Sequence, residues 1–537
     1  MPFLDFPMWI CYTEKNVHAP RFRRTAAKGR GNMLKLAPIF THHMVLQQHK
    51  NIVIFGTGTV GATITVSIPE RHVSGRCKVT QNSTWRVTLP PCSQGAPCTL
   101  DVTDGQTSLH LEDVVFGEVW LAGGQSNMEY MVKDMVGGAD ALQTASSSGV
   151  RFFQVPRNTF KDETYTQDWQ RARWELPSPE TTATWSAVGF LAGRELAERL
   201  QVPIGIIGCN YGGSSVSCWL PEQDLESVSA GLPYLEEYAT AVTGKTTEEM
   251  IAAYDAYTEY QTAWTTRMEQ CYAENPQIGW SEVLARCGEN RWPGPMGIKS
   301  PYRPSGMYHT MLEPIAPYVM AGVFYYQGEN DEHRPDTYAP LLRQLILRWR
   351  MVFEQEKLPF VIVQLPMFAY EDTPENGAWS KLRDAQFRVT RQMRHTGLAV
   401  SLDCGELGNI HPADKRKVGH RVALQAGALA YGLSPELANG PLYDGVVPIE
   451  HGLFVQFQYG QGLVWQGEPC LWELAGADRV YQPAKAELDG NAVRLTWDAE
   501  EPPLYARYAW RNYGAVTLYG KNGIPAAPFS TSCEISI

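Results

Sequence analysis

Between residues 64 and 68, Ile64, Val66 and Ile68 alternate with Thr65 and Ser67. This period of two predicts a half-buried strand. Gly56, Gly58 and Gly61 mark turns before it, and Pro90, Pro91 and Pro97 interrupt the next stretch. Residues 36–112 therefore read as a β-domain. The pattern changes at Val114, where a continuous apolar run reaches Leu121 and ends in Ala122-Gly123-Gly124. From there short apolar runs alternate with helical periodicity. Strands are predicted over 203–208, 321–326, 360–365 and 398–402, and helices over 185–200, 338–353, 379–393 and 412–431. Continuous apolar strands separated by helices of this length imply βαβ units and a parallel sheet covered on both faces. Residues 113–435 thus read as one α/β domain.

A helical insertion over about 222–296 interrupts that domain. Its strongest element is predicted over 246–272, where Thr246 and Glu249 fit a capping box. It reads either as a lid or as a hairpin packed on the side. From 441 to 537 the pattern returns to β, with Val493, Leu495 and Trp497 alternating. The pattern leaves open whether the two β-rich ends join.

Composition narrows the class. Of 537 residues, 44% are hydrophobic, which excludes wholesale disorder. The net charge of −11 lacks the footprint of a nucleic-acid binder. No apolar run is long enough to cross a membrane as a helix. Residues 1–33 lack the order of a signal peptide and read as a disordered leader or extended start. A cytoplasmic location is expected. The eleven cysteines form no CxxC pair, so a zinc site is not expected. Most are expected to be reduced and buried, with a Cys92–Cys98 bridge as the alternative in an exported protein.

The candidate chemistry sits in loops after predicted strands. In Gly123-Gly124-Gln125-Ser126-Asn127-Met128, a serine lies just past the carboxyl end of a parallel strand. There it is either a nucleophile at the ligand edge or a helix N-cap. It is not a G-x-S-x-G elbow. His411, in Asn409-Ile410-His411-Pro412, comes after the strand at 398–402 and so reaches the same edge. It is the candidate base, with Pro412 expected in the first helical turn. Two further loops end at this edge, Asn210-Tyr211-Gly212-Gly213-Ser214-Ser215 and Tyr326-Gln327-Gly328-Glu329-Asn330. Their glycine N–H groups, the Gln327 amide and the Ser126 N–H are candidate oxyanion donors.

GGQSNM, WSAVGF, IIGCNYGGSSVSCW, GVFYYQGEN and NIHPADKRKVGHRVA together resemble the sialate O-acetylesterase family of SGNH-type serine esterases. MVLQQ near the start and RYAWRN with GIPAAPFSTS near the end are similar to that family's flanking β-segments. The resemblance implies a flavodoxin-like SGNH hydrolase domain with a parallel sheet, flanked by β-rich accessory domains. It implies removal of O-acetyl groups from sialic acids through an acetyl-serine, without metal or cofactor. Ser126 matches the nucleophile and His411 the base. Gly213, or its neighbour Gly212, and Gln327 match the oxyanion donors, with the Ser126 N–H. Glu329, Asn330 and His309 are substrate-binding candidates. His309 stands in Tyr308-His309-Thr310-Met311, where the family has YNGM. The family's Asp three residues before the histidine is replaced by Gly408, and Asn409 replaces the Asp of its DIHP. A Ser–His dyad is therefore expected, with Asp403, Asn409 or a backbone carbonyl orienting the ring. The expected partner is an O-acetylated carbohydrate, with neither nucleic acid nor membrane. Two alternatives remain: an acetyl-xylan or other polysaccharide deacetylase, and a non-enzymatic carbohydrate-binding protein.

Overall fold

A computed structural model describes residues 33–275, 278–370, 375–498 and 501–532. Residues 1–32 of the expected leader lie outside them. The backbone is organised by one strand of 17 residues, Ser108–Gly124 (β1). Its first six residues alternate exposed and half-buried, and its last eleven are all buried. The sequence shows why: Ser108-Leu109-His110-Leu111-Glu112-Asp113 alternates, whereas Val114 to Gly124 is almost wholly apolar or glycine. The alternating part pairs antiparallel with Cys98–Thr103 in the N-terminal β-region. The apolar part runs through the centre of a parallel sheet. One strand thus joins the two layers.

The other strands of this central sheet are Val150–Gln154 (β2), Trp174–Glu175 (β3), Ile204–Asn210 (β4), Gly322–Tyr326 (β5), Phe360–Val363 (β6) and Thr396–Ala399 (β7). They lie in the order β3-β2-β4-β1-β5-β6-β7, and all neighbours are parallel except β3 on β2. Without the edge pair the order is 4-1-5-6-7, the doubly wound order 2-1-3-4-5. The chain changes direction across the sheet at β1. In such sheets the ligand crevice lies beyond the carboxyl ends of the strands at this switch point.

Helices cover the sheet. Ala187–Leu200 (α1) and Arg416–Ala430 (α2) pack together, as do Pro335–Val352 and Ala378–Gln392. Trp120 of β1 donates its indole N–H to Tyr431 just after α2, while a Cβ on Gly123 would meet Trp349 of the other pair. Positions 120 and 123 point to opposite faces of a strand, so the sheet is wound on both sides. Trp120 also stacks on Phe324, and Trp185 on Phe152. These tryptophans are core residues.

Helix α2 begins four residues later than its pattern predicts. Asp414 accepts a hydrogen bond from the Arg416 N–H at 3.1 Å and opens the helix there. Pro412 therefore sits in the preceding loop, outside the first helical turn. The insertion has the expected long helix, Thr247–Glu274 (α3 here), capped reciprocally by Thr246 and Glu249. After Pro441 come two four-stranded sheets, one built around Gly452–Gln458 and one around Trp472–Ala475. Among the described residues, no strand of the N-terminal sheets pairs with a C-terminal one.

Candidate active site

Three strand ends converge where β1 stops. Gly124 has φ +131°, and a Cβ there would lie 2.0 Å from the Tyr326 carbonyl oxygen, so only glycine fits. That same carbonyl accepts the Gln125 N–H at 2.9 Å, and the Gly124 carbonyl accepts the Tyr211 N–H at 3.0 Å. The turn presents Ser126 as the first residue of a four-residue helix, with Gln125 in the N-cap position. Ser126 is thus not the cap. Its hydroxyl lies 2.7 Å from His411 Nε2, across 285 residues of sequence.

His411 is half-buried in the loop before α2. Burial lowers its pKa below the ordinary 6.5, and the Lys415 charge lowers it further. Among the described residues no hydrogen bond reaches its Nδ1. Among the described residues Asn409 makes no hydrogen bond to the ring: its Oδ1 accepts the His411 backbone N–H at 3.0 Å, and its Nδ2 donates to Glu406 at 2.7 Å. Contrary to expectation, Asp403 makes no hydrogen bond to His411 among the described residues. Its carboxylate is held by Arg421 at 2.5 Å and Lys417 at 3.0 Å, which leaves it committed away from His411. Arg421, within α2, donates to Asp403 from both of its terminal guanidinium nitrogens.

The oxyanion candidates also rearrange. The Gln327 side chain is fully buried and does not line the cleft. Its Nε2 donates to Asp331 at 2.6 Å, to the Ser214 carbonyl at 3.0 Å and to Gln125 Oε1 at 3.2 Å. A carboxylate on the adjacent turn claims the amide, so Gln327 cannot also serve a substrate. Gln125 lines the cleft instead. Its Oε1 accepts from Gln327 Nε2 and from the Gly328 and Asn330 N–H groups, both at 3.3 Å. With the oxygen so fixed, Nε2 is turned to the cleft and donates no hydrogen bond among the described residues. The Gly212 N–H is taken by Glu129 at 2.6 Å. Among the described residues the Gly213 and Ser126 N–H groups have no acceptor. Gly213 has φ +71°, and a Cβ there would meet Trp292 at 2.9 Å and Tyr302 at 3.1 Å.

The cleft holds about 960 Å³. Asn330 lines it, as does the largely buried Glu329, whose Oε1 accepts from Asn127 at 2.6 Å. Burial raises the Glu329 pKa, offset in part by Asn127. Tyr211, Tyr302 and Trp292 form an aromatic wall, with the Trp292 indole donating to Tyr302 at 2.9 Å. Trp292 comes from the insertion, and no motif pointed to it. Arg157 is the single Arg or Lys among the described lining residues, 3.4 Å from Glu129. His309 lies outside the cleft. It is clamped between Glu222 at 2.8 Å and Glu313 at 2.9 Å, hydrogen bonds that raise its pKa to about 9.

Fold and site together define a class: an α/β protein with a serine–histidine pair and unpaired N–H donors at the switch point of a parallel sheet. The comparisons are more particular. Residues 294–426 match the family model described as carbohydrate esterase, sialic acid-specific acetylesterase. The chain is similar to sialate O-acetylesterases over nearly its full length. It is 27% identical to the Rattus norvegicus sialate O-acetylesterase, covering 94% of this chain and 95% of that protein. With the Homo sapiens sialate O-acetylesterase the identity is 27%, over 94% of each. A carbohydrate acetylesterase from Xanthomonas citri has a similar solved structure, with TM-score 0.73 and 25% identity, covering 93% of this chain and 100% of that one.

Proposed function

We propose that the chain is a carbohydrate O-acetylesterase that removes O-acetyl groups from sialic acids, with an SGNH-type, flavodoxin-like catalytic domain. The observation that carries this reading is the 2.7 Å contact between Ser126 Oγ and His411 Nε2 in the cleft of a chain homologous to such enzymes. Ser126 Oγ attacks the acetyl carbonyl while His411 Nε2 takes its proton. The Ser126 and Gly213 N–H groups and Gln125 Nε2 receive the developing oxyanion. His411 then gives the proton to the departing sugar oxygen, leaving acetyl-Ser126. Water attacks that ester with His411 again as base, and acetate leaves as Ser126 recovers its proton. The serine and histidine act as a dyad, held by backbone and neighbours. A cytoplasmic location remains part of this reading; among the described residues no helix is long and apolar enough to cross a membrane.

A second reading, deacetylation of neutral acetylated polysaccharides such as xylan, is favoured by the charge of the cleft. Among the described lining residues, Glu129, Glu329 and Glu332 face Arg157 as the single Arg or Lys. A sialic acid carboxylate would meet Arg157 there. The test compares acetate release from O-acetylated sialic acids and from acetylated xylan, using the native chain and Ser126→Ala. Wild-type acetate release by Ser126→Ala sinks the mechanism; preference for xylan sinks the sialate assignment.

A further inference from the structure

Beyond the main core, the insertion carries a small core of its own, formed by Trp264, Cys271, Ile278, Val283 and Cys287. Cys271 lies near the end of α3, and Cys287 is the last residue of the short helix Trp280–Cys287 that folds back on it. Their sulfurs are 3.7 Å apart. Among the described residues no other two cysteine sulfurs contact each other. Cys98 donates to the Val114 carbonyl at 3.3 Å and Cys92 to the Pro90 carbonyl, so the bridge considered between those two is not formed. A disulfide needs the Cys271 and Cys287 sulfurs about 1.7 Å closer, within reach of side-chain rotation.

The segment after Cys287 is laced to α3. Trp264 donates to the Gly288 carbonyl at 2.9 Å, Tyr260 to that of Glu289 at 2.7 Å, and Arg267 to that of Cys287 at 2.9 Å. Gln261 donates to Asn290 at 3.0 Å, and Asn290 Oδ1 accepts the Trp292 N–H at 3.1 Å. Trp292 then enters the cleft. A cross-link at Cys287 would close the far end of this ladder.

We propose that Cys271 and Cys287 are a redox pair whose disulfide staples the hairpin carrying Trp292 to the cleft wall. The oxidant is a small-molecule or protein disulfide. One thiolate attacks it, displacing one thiol and forming a mixed disulfide. The second thiolate attacks that mixed disulfide and displaces the other thiol. Two cysteine thiols are oxidised, the oxidant disulfide is reduced to two thiols, and the two protons pass to those products. Both cysteines are largely buried, but they lie in a peripheral cluster under one eight-residue helix, and local opening of that helix exposes them. The cross-link does not depend on the esterase reading.

The full chain is incubated with glutathione disulfide, or with dithiothreitol as control. Peptide mapping without reduction should join the Cys271 and Cys287 peptides, and the free-thiol titre should fall by two. Hydrogen exchange over residues 280–292 should slow in the oxidised form and recover on reduction. Cys271→Ala and Cys287→Ala should each abolish both effects. The proposal is overturned if no joined peptide forms, if the joined cysteines are others, if glutathione adducts persist unresolved, or if exchange over 280–292 is unchanged by the cross-link.

Discussion

Lys415 Nζ donates to Asn127 Oδ1 at 2.5 Å. Asn127 spends its two N–H groups on Glu329 Oε1 at 2.6 Å and the Ile410 carbonyl at 2.9 Å. It comes directly after Ser126 in sequence, and Ile410 precedes His411. One fully buried amide therefore fixes the serine turn to the histidine loop, and a buried ammonium completes it. Where the family pattern has Asp before the histidine, this chain steadies the loop from behind.

That arrangement predicts the acid limb of the pH profile. A histidine base works only when neutral. Burial and Lys415 hold His411 below 6.5, so kcat/KM should fall only on the acid side of pH 6.5. Burial lowers Lys415 itself to about 8, so it is still charged where His411 titrates. Lys415→Met removes that charge, the His411 pKa rises, and the limb should move to higher pH. An unmoved limb in Lys415→Met would refute the coupling.

The side-chain oxyanion donor separates two glutamines. Gln125→Ala should lower kcat by about 10²–10³ with little change in KM, the usual effect of losing one such donor. Gln327→Ala should chiefly destabilise the fold, by about 1–3 kcal/mol, because it leaves Asp331 and the Ser214 carbonyl short of a donor. Steady-state kinetics and denaturant unfolding of both variants check this; equal kinetic loss with no stability cost for Gln327→Ala would return the role to Gln327.

His309 should show in stability and not in catalysis. Its folded pKa of about 9 lies above the ordinary value, so its contribution is full below about pH 6.5 and is lost as pH rises through 9. His309→Asn should flatten that decline in unfolding free energy and leave acetate release unchanged. A raised KM in this variant would put the residue back at the substrate.

Asp403 separates a structural carboxylate from a triad member. Burial pushes its pKa up, but Arg421 and Lys417 more than offset this and hold it below the usual carboxylate range. Arg421→Met leaves that charge poorly compensated and should cost about 3–5 kcal/mol, as breaking a buried pair does. Asp403→Asn should leave the pH profile of kcat/KM in place, because the carboxylate does not touch His411. A shifted profile would restore Asp403 to the ring.

Much of the architecture is legible in residue order. The switch from alternation to a continuous apolar run within 108–124 marks the strand that passes from one layer into the next. Thr246 and Glu249 mark the start of α3, because a capping box is a contact between residues three apart. The chemistry-bearing loops are legible for a similar reason: each comes after an apolar strand, and strand ends collect at one edge of a parallel sheet. The strand at 174–175 gave no comparable signal, being two residues long at the sheet's edge, and in Val150–Gln154 the polar Arg151 and Gln154 break the apolar run.

Sequence alone determined which segments meet at that edge and brought Ser126 and His411 there. Tertiary structure decided what each buried polar group does once it arrives. Gln327 and Gln125 are both amides in the right loops, yet Asp331 claims one and frees the other for the cleft. Asp403 stands at a suitable strand end, but Arg421, 18 residues on, takes its charge. Trp292 reaches the wall through an insertion whose packing no local pattern encodes. Periodicity is a property of neighbours in the chain, whereas a buried donor or charge must be satisfied by whatever partner the fold brings within reach, and that competition is settled only in space.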